Sequence, residues 1–150
     1  MRFFENCINP ETQETLPAKL PTRADNGSAG YDFYIPRDFN ILPGETILIP
    51  TNVKAAMEQD EVLLLYVRSS IGIKRRCVLA NGTGVIDSTY YNNPDNDGNI
   101  TIALTNLSKQ IQQFNKGDRI MQGVFVKYLI TDNDQPLSAT RKGGIGSSGV

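Results

Sequence analysis

Apolar and polar positions along this chain follow a period of two far more than the 3.6 of a helix. In NITIALTNLS (Asn99–Ser108), Ile100, Ile102 and Leu104 share one face and Thr101, Ala103 and Thr105 the other, which predicts a half-buried strand. TILIPTNVKAAM (Thr46–Met57) alternates in part and contains β-branched residues. VLLLYVRS (Val62–Ser69) is a nearly continuous apolar run, as a strand covered on both faces requires. RIMQGVFVKYLI (Arg119–Ile130) is a further long strand candidate. The turn-rich stretches LPGE, NNPDNDGN and NKGD punctuate these runs. Only SSIGIKRR (Ser69–Arg76) has the composition for a helical turn or two. Many short strands at this spacing, with no internal repeat, predict an all-β barrel or jelly roll.

The last fifteen residues, PLSATRKGGIGSSGV, change character: glycine and serine dominate and almost nothing can join a core. The expected division is a β-barrel domain over 1–135 and a flexible arm over 136–150. Composition leaves two readings of the arm open. It is an unstructured terminus, or its glycines let backbone N–H groups approach an anion while Arg141, Ser147 and Ser148 add donors. No lysine follows the glycines where a Walker A loop needs one.

Composition narrows the chemistry. The 150 residues carry 15 Lys and Arg against 16 Asp and Glu, so no overall basic field favours duplex nucleic acid. The run Lys74, Arg75, Arg76 reads as a solvated rim. No apolar run approaches a membrane span and the N-terminus has no signal-peptide core, so neither nucleic acid nor membrane is expected as a partner. Cys7 and Cys77 are the only cysteines, which favours a reducing, cytoplasmic setting.

The count that excludes most is zero: the chain has no histidine. Ser-His and Cys-His nucleophilic schemes are thereby removed, along with the commonest zinc ligand. Acid–base work falls to Asp or Glu, and any metal is expected to be a hard cation such as magnesium. Three groups of polar residues sit where plain β structure does not ask for them. Asp32 lies between Tyr31 and Phe33; it caps a turn or serves a site. Arg68, Ser69 and Ser70 end an apolar run, where they pair locally or converge on phosphate oxygens. In GVIDSTYY, Asp87 follows the apolar pair Val85 and Ile86 and precedes two tyrosines. A hairpin that exposes its own edge there offers backbone N–H and C=O groups to a planar ligand, with a tyrosine as a flat wall.

Five segments, in order and spacing, resemble the trimeric all-β dUTPase family over roughly residues 20–149. They are AGYDF (Ala29–Phe33), RSSIGIK (Arg68–Lys74), NGTGVIDSTYYNNP (Asn81–Pro94), KGDRIMQ (Lys116–Gln122) and RKGGIGSSG (Arg141–Gly149). The resemblance implies a distorted jelly roll assembled as a homotrimer. It implies hydrolysis of dUTP to dUMP and pyrophosphate, which keeps uracil out of DNA and supplies dUMP for thymidylate synthesis. Asp87 would orient and deprotonate a water attacking the α-phosphorus. An ordinary aspartate, with a pKa of about 3.9, is a weak base, so positioning and charge neutralisation would carry most of the rate. Magnesium would bridge the phosphates, with Asp32 holding its shell through water. Asn81, the backbone of Gly84, Val85 and Ile86, and Thr101 would read uracil, and Tyr90 would pack under the deoxyribose. Arg68, Ser69, Ser70 and Gln122 would line the triphosphate. Arg141, Ile145, Gly146, Ser147 and Ser148 would close over base and γ-phosphate.

The chain departs from the family pattern at Ile145, where an aromatic is usual, at Ser70, where glycine is commoner, and in the loop NNPDNDG, which adds residues after Tyr91. One rival reading is a dCTP deaminase, whose base is a glutamate; no glutamate follows Glu61. Another is a phage-type regulatory member that also binds a repressor-like protein partner.

Overall fold

The computed structural model describes residues 1–141. Among them run eleven strands and one short helix. The strands are β1 (Phe3–Asn6), β2 (Tyr31–Tyr34), β3 (Phe39–Ile41), β4 (Thr46–Pro50), β5 (Val53–Ala56) and β6 (Glu61–Val67). Helix α1 (Ser69–Ile73) follows, then β7 (Cys77–Leu79), β8 (Gly84–Asp87), β9 (Thr101–Asn106), β10 (Gln112–Phe114) and β11 (Arg119–Lys127). Every pairing is antiparallel. One sheet has the order β2–β11–β6–β8 and a second β4–β9–β7, while β1 pairs with β5 and β3 with β10. Among the described residues no helix is long and apolar enough to cross a membrane.

Periodicity placed the strands well, and the deviations have local causes. β9 alternates as expected, with Ile102 and Leu104 inward. It ends on a buried Asn106, whose amide donates to the carbonyls of Ile41 (2.9 Å) and Gln110 (2.7 Å). The Thr46–Met57 run is two strands rather than one. Asn52 adopts φ +64°, which turns the chain, and the buried Thr51 hydroxyl donates to the Ile100 carbonyl at 2.6 Å. The apolar run from Val62 stops being a strand at Val67; Arg68 is the extended residue that caps α1. β11 ends at Lys127, and Tyr128, Leu129 and Ile130 are exposed.

The core lies between the sheets. Phe33, Ile35, Ile41, Ile49, Leu63, Ile102, Leu104, Phe114, Ile120 and Met121 are buried within one cluster. Each such side chain contributes about 1.5–3 kcal/mol relative to exposure. This is the all-β jelly roll that the pattern of short strands predicts. One consequence matters most for function: β7 and β8 are consecutive but belong to different sheets. The turn between them crosses a gap, so they are not the two arms of a paired hairpin as expected.

Candidate active site

The gap between β7 and β8 is a cavity of about 590 Å³. Its floor is apolar, from Leu48, Leu65, Leu79, Ala103 and Met121. Around that floor stand Asn81, Gly84, Val85, Ile86, Asp87, Tyr90, Thr101 and Arg141. Eight of the residues singled out from the sequence therefore meet in one place. The edge position of β8 explains the polar lip. Among the described residues its only ladder runs to β6, so its other edge has no strand partner there. Val85 is 58% exposed on that edge. Gly84 allows β8 to sit this close to β6, since a Cβ there would lie 2.9 Å from Leu65 Cβ.

Asp87 ends β8 in an extended conformation and starts the 3-10 turn Ser88–Tyr90 without capping it by a side-chain hydrogen bond. Its carboxylate is exposed and pairs with the Arg141 guanidinium at 3.1 Å. Tyr90 is 5% exposed, with its ring against the cavity and its hydroxyl turned into the fold. The hydroxyl donates to the Asn99 carbonyl at 2.9 Å and accepts from the Asn96 amide at 2.7 Å. Burial pushes the phenol above its ordinary pKa, so the ring is a neutral wall. The Arg141 guanidinium lies 5.2 Å from the ring centre.

A second group of the expected residues is elsewhere. Asp32, 7% exposed on β2, accepts from Arg119 Nη1 at 3.2 Å and faces Arg68 Nε at 3.3 Å. Two guanidiniums on one carboxylate leave the cluster with a net positive charge, suited to a polyanion. Gln122, the β11 partner of Asp32, lies against Gly30, and Ser69 and Ser70 are exposed on the first turn of α1. None of these residues lines the Tyr90 cavity. The register shows why. Asp32 is level with Gln122 and Tyr66, whereas Asp87 is level with Val62, four residues along β6 and three strands across the sheet. That puts them on the order of 15–20 Å apart within one chain. Among the described residues no three His, Cys, Asp or Glu side chains converge on a metal position.

The dUTPase family model matches residues 17–149 of this chain. The chain belongs to the dUTPase family. The deoxyuridine 5'-triphosphate nucleotidohydrolase of Lactococcus lactis is 44% identical over 132 residues, covering 87% of this chain and 88% of that protein. The vaccinia virus protein of the same name is 37% identical over 142 residues, covering 92% and 90%. The crystal structure of the Streptococcus mutans dUTPase superposes with a TM-score of 0.77 at 41% identity, covering 87% of this chain and 98% of that one.

As in the sequence of this dUTPase family member, Ile145, Gly146, Ser147 and Ser148 remain expectations, because they lie outside the described residues. Two structural participants escaped sequence reasoning. Arg119 was inside a matched segment, KGDRIMQ, but only the fold aims it at Asp32. Lys54 lies outside every matched segment in the sequence; its one signal is a lysine in the middle of the apolar stretch VKAA.

Proposed function

We propose that this chain hydrolyses dUTP to dUMP and pyrophosphate by attack of water on the α-phosphorus. We also propose that it does so as a homotrimer, each site joining the Tyr90 cavity of one subunit to the Asp32–Arg68–Arg119 cluster of another. One observation carries the reading. A single cavity gathers an open strand edge, an exposed carboxylate and a buried tyrosine ring in a member of the dUTPase family. The relatives named above bear the nucleotidohydrolase or dUTPase name, which favours hydrolysis over the deaminase and regulatory alternatives.

The geometry supports the following roles. The free edge at Gly84–Ile86, with Asn81 and Thr101, presents donors and acceptors to the polar edge of uracil. A site that hydrogen-bonds its ligand discriminates against a mismatched pattern by up to about 10⁴. The Tyr90 ring lies under the sugar, where a ribose 2′-hydroxyl would be desolvated without a partner, at about 1–3 kcal/mol. Asp87, at the cavity mouth, orients the attacking water and accepts its proton. Arg68 with Ser69, Ser70 and Gln122 neutralises the triphosphate. Arg141 exchanges its contact with Asp87 for phosphate, and the rest of the arm, Ile145, Gly146, Ser147 and Ser148, covers base and γ-phosphate. Magnesium fits this donor set because it keeps its waters and takes phosphate oxygens, so a single outer carboxylate, Asp32, suffices to hold it. When bound it draws charge from the phosphates. The two buried, free cysteines suit an intracellular setting.

Pyrophosphate release with dUTP, dCTP, dTTP and UTP, each with and without magnesium, tests the proposal. The expected result is magnesium-stimulated turnover of dUTP, with kcat/KM at least about 10² above the other three. Equal turnover of dCTP or UTP would remove the uracil and sugar readout.

A further inference from the structure

Lys54 is a charged residue where a strand interior does not ask for one. It sits between Val53 and Ala55 on β5 and is 6% exposed. A buried ammonium persists only when it is paired. Its Nζ donates to Asn92 Oδ1 at 2.6 Å and to Asp97 Oδ2 at 2.9 Å. It also lies 3.8 Å from Glu5 Oε2 and 5.0 Å from the centre of the Tyr91 ring. Glu5 in turn accepts from the Tyr91 hydroxyl at 2.5 Å. Asn92 and Asp97 stand at opposite ends of the loop that the family pattern lacks, so one cation ties both ends together.

That loop is the scaffold of Tyr90. The Asn93 N–H donates to the Tyr90 carbonyl at 3.1 Å, and the Asp97 N–H to the Asn93 carbonyl at 2.7 Å. Gly98, at φ +79°, comes so close that a Cβ on it would lie 2.6 Å from the Tyr90 carbonyl oxygen. Asn96 and Asn99, at the far end of the loop, hold the Tyr90 hydroxyl. Lys54 itself does not line the cavity.

We infer that Lys54 is a positioning residue: its ammonium is a built-in cation that closes the Asn92–Asp97 loop and thereby fixes the Tyr90 ring for sugar selection. This rests on the role proposed above for Tyr90. Asp87 is held independently, through the β8–β6 ladder. Loosening the loop therefore weakens sugar binding more than it slows the chemical step, which separates a positioning role from a merely structural one.

Lys54→Met keeps the length and the apolar stem and removes the charge. Steady-state kinetics of the full-length variant with dUTP and UTP are expected to show KM for dUTP up about tenfold, kcat within about threefold, and the dUTP-over-UTP ratio of kcat/KM down about tenfold. Lys54→Arg restores a cation and is expected to recover the ratio in part. If Lys54→Met fails to fold because Asp97 is left buried without its counter-charge, Lys54→Met/Asp97→Asn removes both charges and carries the same measurement. A folded variant with wild-type KM and ratio, or with lower kcat and Tm alone, overturns the inference. Tyr90→Ile separates the two levels. If it shifts the dUTP-over-UTP ratio while Lys54→Met does not, only the positioning role falls. If it leaves the ratio unchanged, the role of Tyr90 falls and the inference with it.

Discussion

Two variants, each inactive alone, are expected to regain activity when their chains are mixed. Asp87→Asn removes the carboxylate at the cavity mouth. Arg68→Gln removes one of the two guanidiniums on Asp32 and leaves Arg119 in place. Loss of a catalytic carboxylate costs about 10²–10⁴ in rate, and loss of one charge-stabilising donor about 10²–10³. Each homo-oligomer is thus expected at or below about 1% of wild-type turnover. The separation decides what mixing does. Asp32 is displaced from Asp87 by four residues along β6, about 13 Å, and by three strand spacings, about 14 Å. The Arg68 guanidinium seated on Asp32 and the Asp87 carboxylate of one chain therefore cannot serve the same α-phosphorus. If each site takes its cavity from one subunit and its cluster from another, random one-to-one mixing gives each site an intact cavity half the time and an intact cluster half the time. The expected recovery is about one quarter of wild-type activity, at least about 25-fold above either parent. Co-expression, purification and pyrophosphate release against protein concentration give the number, with melting curves to confirm that both parents fold. Mixed protein no more active than the mean of its parents would refute the shared site.

Other perturbations have equally definite outcomes. Truncation before Arg141 is expected to lower kcat at least about tenfold while changing the denaturant midpoint little, because no residue beyond Lys127 belongs to a described strand; full activity after truncation would exclude the arm from the site. Gly84→Ala places a Cβ 2.9 Å from Leu65 Cβ and is expected to cost about 1–3 kcal/mol, read by chemical denaturation. Burial, with Asp97 nearby, pushes the Cys7 thiol up to about 12 from its ordinary value of about 9. A pKa raised by folding contributes stability that is complete below the unfolded value and lost as pH rises towards the folded one. The melting temperature is therefore expected to decline from about pH 9 upward, and Cys7→Ala to flatten that decline; parallel slopes in the two proteins would exclude the thiol.

Much of this molecule was legible in one dimension, for reasons that are local. Side-chain alternation is a property of single strands, so the Ile102 and Leu104 face of β9 could be read from spacing alone. The absence of histidine restricts acid–base chemistry whatever the fold. The segment around Asp87 carries its own pattern, an apolar pair followed at once by a carboxylate, with a tyrosine ring three residues on.

What the chain could not reveal in one dimension depends on pairings between distant residues. Strands β7 and β8 look like a hairpin in sequence, yet each finds a better partner elsewhere, β9 and β6, and the cavity exists because they part. Lys54 is no more than a lysine inside an apolar stretch until β5 is packed beneath the 92–97 loop and its ammonium meets Asp97. Arg119, on β11, and Arg68, at the start of α1, come together only through Asp32 on β2. Register set the distance from that group to Asp87, because each step along a strand and each strand crossed adds a fixed length that no sequence spacing records. Residue types determined the chemistry available to this protein; which of those residues meet was decided by tertiary packing.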